Sequence, residues 1–167
     1  LVRENGKWDL SGDAMDVAFL SMGYKLGLDP DAVRRETNIT GEIPYESELG
    51  FSAAFYEKEG EKRVAVKGAV EKVLDFCSRM YHEGDVTDLD REDVESRALS
   101  MAEKGLRVLA VASGGTERTQ PEKTNKTAGL SGLGFHGLVG FLDPLRAETA
   151  EAVRECREAG IQVTALV

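Results

Sequence analysis

One lysine closes an apolar run and is followed at once by glycine and a helical pattern: Val64-Ala65-Val66-Lys67-Gly68-Ala69-Val70-Glu71-Lys72-Val73-Leu74-Asp75-Phe76-Cys77. An ammonium group at a strand's end, beside a helix N-terminus with its unpaired N–H groups, can meet a flat or anionic ligand. Taken alone, such a lysine reads better as an exposed edge residue. A second stretch, Gly132-Leu133-Gly134-Phe135-His136-Gly137, spells G-x-G-x-x-G, the dinucleotide fingerprint. That fingerprint needs a strand before it and a helix opening on it, so that a pyrophosphate can sit on the helix N-terminus. Here a polar loop precedes and an apolar strand follows, so these glycines mark a loop-to-strand junction.

The remaining reactive side chains are few. His82 and His136 have no ligand partner by spacing and read as satisfied or solvated histidines. Cys77 and Cys156 lie in helical patterns beside apolar neighbours without C-x-x-C or Cys/His spacing, which predicts buried, reduced thiols and suits a cytosolic compartment. The chain has no G-x-x-x-x-G-K-[ST] loop, no H-E-x-x-H helix and no G-x-S-x-G elbow. No metal site is expected.

Around Lys67 the sequence predicts elements in a definite order. Ser11 can cap a helix with apolar positions Met15, Ala18, Phe19, Met22 and Leu26, stopped by Gly27; a short helix with Asp29 as N-cap and Pro30 at its first position follows. Residues 39–45, 51–56 and 63–67 read as strands, the last two a hairpin across the turn 57–61. A helix from Ala69 marked by Val73, Leu74 and Cys77, a break at Gly84-Asp85, a helix over 91–104 ended by Gly105 and a strand over 106–112 come next. Residues 113–132, with almost no apolar side chain, predict a long mobile loop without a site. A strand at 138–142, a break at Asp143-Pro144, a helix over 147–159 and a strand over 161–167 complete a βαβ-like end. The fold class is α+β, an antiparallel sheet flanked by helices, followed by the start of a different α/β domain. The boundary falls at 140–144.

The chain has 167 residues, enough for one main domain with a sizeable core; 41% hydrophobic and 31% charged residues describe a chain that folds. A net charge of -9 spread along the length repels polyanions, which argues against nucleic acid and against anionic membrane surfaces. No run reaches the length of a membrane span and no signal peptide opens the chain. Leu1 at the start and the apolar run ending at Val167 read as cuts through a longer protein.

The Lys67 stretch resembles the K-G-A-P-E motif of the P-type ATPase nucleotide-binding domain, with Val70 in place of proline, and further landmarks of that family follow in order. Ser11-Gly12-Asp13-Ala14-Met15-Asp16-Val17-Ala18-Phe19-Leu20 resembles the G-[DE]-x-x-[DE]-x-A-L helix, and Glu42-Ile43-Pro44-Tyr45-Glu46-Ser47-Glu48 the I-P-F-x-S-x-x-K segment. Gly105-Leu106-Arg107-Val108-Leu109-Ala110-Val111-Ala112 is similar to G-x-R-[VC]-L-A-x-A. Gly137-Leu138-Val139-Gly140-Phe141-Leu142-Asp143-Pro144-Leu145-Arg146 is similar to the D-P-P-R hinge, and Ala159-Gly160-Ile161-Gln162-Val163-Thr164-Ala165-Leu166 to the run that leads into T-G-D. These ordered matches cover nearly the whole chain.

The resemblance implies a nucleotide-binding domain over 1–140 and, over 141–167, the hinge and the first part of a phosphorylation domain. It implies ATP as ligand, with Tyr45 stacking on adenine, Lys67 lining the base pocket and Gly68 letting the base approach the backbone. Asp16 and Asp13 match the acidic positions that address the adenine amino group, Arg107 the arginine that reaches towards the phosphates, and Asp143 and Arg146 the hinge. Leu49-Gly50 stand where many members carry a lysine, and Asp16 is one methylene shorter than glutamate.

The phosphorylated aspartate of D-K-T-G-T, the later T-G-D and the G-D-G-x-N-D segment are absent from the sequence. No catalytic residue and no metal ligand is therefore assigned; Mg and the chemical step belong to the full-length parent. The implied setting is a cytoplasmic domain of an integral membrane pump, not itself inserted in the membrane, whose partners are ATP and the pump's phosphorylation domain and other domains. A haloacid dehalogenase-type phosphatase would need D-x-D-x-T, which is missing. The alternative from another class is a structural or protein-interaction α+β domain without nucleotide binding.

Overall fold

A computed structural model describes residues 2–4, 7–9, 14–82, 84–122, 124–142 and 148–164, the first two segments by backbone alone. The elements in chain order are β1 (Val2–Glu4), β2 (Lys7–Asp9), α1 (Ala14–Lys25), α2 (Pro30–Glu36), β3 (Asn38–Ile43), β4 (Phe51–Lys58), β5 (Glu61–Gly68), α3 (Val70–Leu74), β6 (Cys77–His82), β7 (Asp85–Asp88), α4 (Arg91–Glu103), β8 (Arg107–Gly115), β9 (Leu133–Phe141) and α5 (Thr149–Glu158). Strands β1 and β2 form a small antiparallel pair. The other seven form one sheet in the order β3-β4-β5-β8-β9-β6-β7.

Alternation decides the two faces of this sheet. Phe51, Ala53 and Phe55 of β4 stand opposite Gly68, Val66 and Val64 of β5, and Val66 and Gly68 in turn oppose Ala112 and Ala110 of β8. All of these apolar side chains are buried, Phe55 and Val64 completely. Val73 and Leu74 of α3 and Val94 of α4 close the core over them. The intervening positions, Arg63, Ala65 and Lys67 on β5 and Arg107, Leu109, Val111 and Ser113 on β8, face the other way.

Local signals place most elements where the sequence predicts them. The Asp29 carboxylate accepts from the N–H groups of Asp31 and Ala32 at 3.0 and 3.2 Å, capping α2 with Pro30 at its first position. The β4–β5 hairpin turns through Glu59 and Gly60, both at positive φ, as a tight hairpin turn demands. Helix α4 ends at Glu103, with Lys104 as its C-cap and Gly105 at φ 78°.

Several expectations are corrected. The helix expected to run through Cys77 stops at Leu74, and Cys77–His82 is strand β6. Its pairing explains the change: β6 lies parallel to β9, Cys77 opposite Leu133 and Met80 opposite Phe135, so the sheet is mixed rather than purely antiparallel. Cys77 is half-buried rather than fully buried, donates to the Val73 carbonyl at 3.2 Å, and burial pushes its thiol up to about 11. Cys156 is likewise only partly covered.

Strand β9 begins at Leu133, not 138, so the G-x-G-x-x-G letters lie at the start of and inside a strand. There Gly134 leaves room for the Tyr81 ring, which a Cβ at this position would strike. Residues 113–115 belong to β8, and the irregular stretch after it is tied down: Thr116 donates to the Lys62 carbonyl at 3.0 Å, Gln120 and Pro121 lie against Gly41, and Leu130 is 2% exposed within the core. The expected strand after α5 is not formed over 161–164, where Ile161 and Val163 stay exposed. No described strand lies beside that stretch to pair its backbone groups. Residues 165–167 lie outside the described residues.

Candidate functional site

Lys67 is the penultimate residue of β5, and the alternation that buries Val64 and Val66 turns its side chain to the opposite face. The strand ends where it does because Gly68 meets the start of β4. A Cβ there would lie 2.5 Å from the Gly50 carbonyl oxygen and 2.6 Å from Phe51 Cα, and the next N–H, of Ala69, donates to that Gly50 carbonyl at 2.8 Å. Only glycine lets β4 and β5 close together at this end. The space beside Gly68 is thus filled by the protein's own backbone, a structural reason for glycine that differs from the close ligand approach expected of it.

On the outer face the Lys67 ammonium donates to the Asp16 carboxylate, a charge-assisted hydrogen bond between two residues singled out in the sequence. The same ammonium stands 5.3 Å from the centroid of the Phe19 ring. Phe19 in turn meets Phe141 edge-on at 5.0 Å between centroids. Helix α1 therefore lies across the ends of β5 and β9 and presents one carboxylate and one aromatic ring around a single cation. Lys67 keeps 32% of its side chain exposed and Asp16 59%, so this cluster is open to a ligand from solvent.

Tyr45 follows the end of β3, and Ile43 opposite Ala53 puts it at the same end of the sheet as Phe51 and Gly68. Tyr45 is 57% exposed. Arg107 opens β8 on the face that carries Lys67, opposite Phe141 of β9, with its side chain exposed and without an ion pair among the described residues. Asp16 and Lys67 thus touch; Tyr45 and Arg107 share their end or face of the sheet without touching them. Asp13, Asp143 and Arg146 lie outside the described residues.

Two side chains next to these residues were not assigned to the ligand in the sequence. Phe19 stands three residues after Asp16, so helical spacing alone puts both on one face. Lys126 holds Glu46, the neighbour of Tyr45, with 2.6 and 2.7 Å to the two carboxylate oxygens. No local signal links residues so far apart.

A second polar cluster occupies the far end of the same face. Ser113 Oγ and His136 Nε2 share a hydrogen bond of 2.7 Å, and the Tyr81 ring stacks on the imidazole at 4.7 Å and 6°. Desolvation by these neighbours, and then the positive charge of Arg63, hold the His136 pKa below its ordinary value. Among the described residues no carboxylate orients the other ring nitrogen, so the pair lacks the third member of a nucleophilic triad. Nor do the described residues gather three His, Cys, Asp or Glu side chains fit to hold a metal ion, or contain a helix long and apolar enough to cross a membrane.

The chain matches the family model of the P-type ATPase cytoplasmic domain N over residues 2–148. It is 34% identical over 164 residues to a probable cation-transporting ATPase F of Mycobacterium tuberculosis, covering 98% of this chain and 18% of that protein. Identity is 33% over 159 residues to the cation-transporting ATPase pma1 of Synechocystis, covering 93% of this chain and 17% of the relative. It is 32% over 162 residues to the sodium/potassium exporting P-type ATPase cta3 of Schizosaccharomyces pombe, 96% of this chain and 16% of the relative. The chain therefore spans less than a fifth of the length of these relatives. A mixed sheet with helices across it, a lysine-glycine strand end facing a helix carboxylate, and a family match over most of its length make this chain a member of the P-type ATPase cytoplasmic N-domain family.

Proposed function

We propose that this chain captures ATP for a cation-transporting P-type ATPase and carries it to the aspartate of the phosphorylation domain. The observation that carries the reading is the contact of Lys67 with Asp16 over Phe19. An ammonium, a carboxylate and an aromatic face at one exposed place match what an adenine offers: a flat ring to stack, an amino group to donate and ring nitrogens to accept. On binding, Asp16 exchanges the Lys67 ammonium for the base amino group, and Lys67 turns its donors to the nucleotide. Tyr45 stacks on the base from the end of β3. Arg107 reaches towards the phosphates along β8. Residues 141–167 form the hinge and the opening of the phosphorylation domain, with Asp143 and Arg146 at the hinge.

Mg, when bound in the assembled pump, neutralises charge on the transferred phosphoryl group. The sequence motifs for that metal and for the phosphorylated aspartate are absent from these 167 residues. Calorimetry with ATP and ADP is therefore expected to show weak binding that depends little on magnesium, with no steady phosphate release. Binding only in the presence of magnesium, or sustained hydrolysis, would overturn this reading.

A further inference from the structure

We propose that Lys126 is a positioning residue for the base-stacking segment: it holds Glu46, and through Glu46 it fixes where the Tyr45 ring stands. The inference rests on the reading of Tyr45 as the stacking residue. Tyr45 lies in the connection between β3 and β4, outside the ladder, and a connection of that kind moves more than the strands it joins. Local ties already hold part of it: the Glu46 carbonyl accepts from the N–H groups of Leu49 and Gly50 at 3.0 and 2.9 Å, and Leu49 packs against the core. Those ties orient the backbone after residue 46. The Glu46 side chain is held from elsewhere, by Lys126 with 2.6 and 2.7 Å to its two oxygens.

The far side of this clasp is itself anchored. Asn125 accepts from the Thr127 N–H at 3.2 Å and from its hydroxyl at 2.8 Å, Leu130 donates to the Thr127 carbonyl at 3.0 Å, and the Leu130 side chain is buried in the core. Lys126 therefore comes from a turn whose place is fixed on the core face, and the ion pair transmits that fixity to the segment beside Tyr45. The pair is 40% and 38% exposed, so solvent and salt screen it. The sequence offers no sign of this role, since a loop lysine so far along the chain reads as solvated.

The test is a titration of ADP without magnesium into the 167-residue chain, with melting curves alongside. The variants are Lys126→Met, the swap Glu46→Lys with Lys126→Glu, Tyr45→Ala, and Tyr45→Ala combined with Lys126→Met. Lys126→Met is expected to raise Kd on the order of two- to fivefold, the range of a partly exposed ion pair, with the melting temperature nearly unchanged. The swap restores most of that loss, and added salt shrinks it. In the Tyr45→Ala background the Lys126 substitution changes nothing further, because the ring it positions is gone. An equal loss in both backgrounds overturns the proposal, since Lys126 would then act on the nucleotide or the fold directly. An unchanged Kd in Lys126→Met beside a weakened Tyr45→Ala overturns it and leaves the stacking reading intact. An unchanged Tyr45→Ala overturns both.

Discussion

The two faces of the seven-stranded sheet are built on opposite terms. One face is dry: Phe51, Phe55, Val64, Val66, Ala110 and Ala112 interlock under α3 and α4, whose Val73, Leu74 and Val94 are all but inaccessible. The other face carries Lys67, Arg63, Arg107 and Ser113, and the helix across it, α1, has no buried residue at all. The dry face supplies the stability that fixes each strand in place. The wet face spends that fixity on presenting polar groups, and the light packing of α1 leaves Asp16 and Phe19 accessible beside Lys67. Substitutions on the two faces should therefore separate folding from ligand binding.

The largest effect is expected on the dry face. Phe55→Ala removes a ring that is 0% exposed and should destabilise the fold by about 3–5 kcal/mol, read from the denaturant midpoint. The comparison breaks if this variant keeps its stability and loses nucleotide binding instead.

On the wet face the order should reverse. Tyr45→Ala is expected to cost on the order of 1–3 kcal/mol of ATP binding, as truncations of stacking rings do, with the melting curve little changed. Lys67→Ala weakens binding as well. Lys72→Ala, in α3 with its side chain exposed, leaves binding and melting as they are and serves as the control. Equal binding by all three variants and the parent would move the site elsewhere.

The smallest effect sharpens the comparison at the far end of the wet face. His136 has a folded-state pKa below the unfolded value of 6.5, because Tyr81 and Ser113 cover it and Arg63 adds positive charge. The unfolded chain thus takes up a proton that the folded protein resists. Stability is level above about 6.5, the ordinary histidine value, and declines as pH falls from there towards the lower folded value. His136→Gln should flatten that part of the profile, seen as the difference between parent and variant in denaturant midpoints from neutral to mildly acidic pH. An identical slope in both would place the titrating group elsewhere.

What could be read from the sequence divides by the range of its signals. The Asp29 cap, the β4–β5 turn and the stop at Gly105 are encoded within a few residues, and each stands where its chemistry predicts. Strand β6 was hidden because Val73, Leu74 and Cys77 fit a helix equally well, and only a distant strand decides between the two. Leu130 was hidden for a similar reason: a single apolar residue in a polar stretch says nothing until the core it enters is known. At the candidate site, the resemblance picked out Asp16 and Lys67 as residues of one ligand, but not that they bond to each other. Phe19 could have been found from its spacing to Asp16.

The parallel pairing of β6 with β9 also has a meaning in time. Strands β4 and β5 are neighbours in sequence and can zip from a two-residue turn. The β6–β9 seam joins Cys77 to Leu133 and Met80 to Phe135, and so must wait until the long intervening stretch, with α4 and β8 in it, has found its place. Because loop closure costs entropy before distant contacts reward it, we expect the hairpin to belong to the folding nucleus and the seam to form late. Weakening the seam should then hasten unfolding while leaving the rate of folding almost untouched, so that β6 and β7 act as the latch of the sheet rather than its seed.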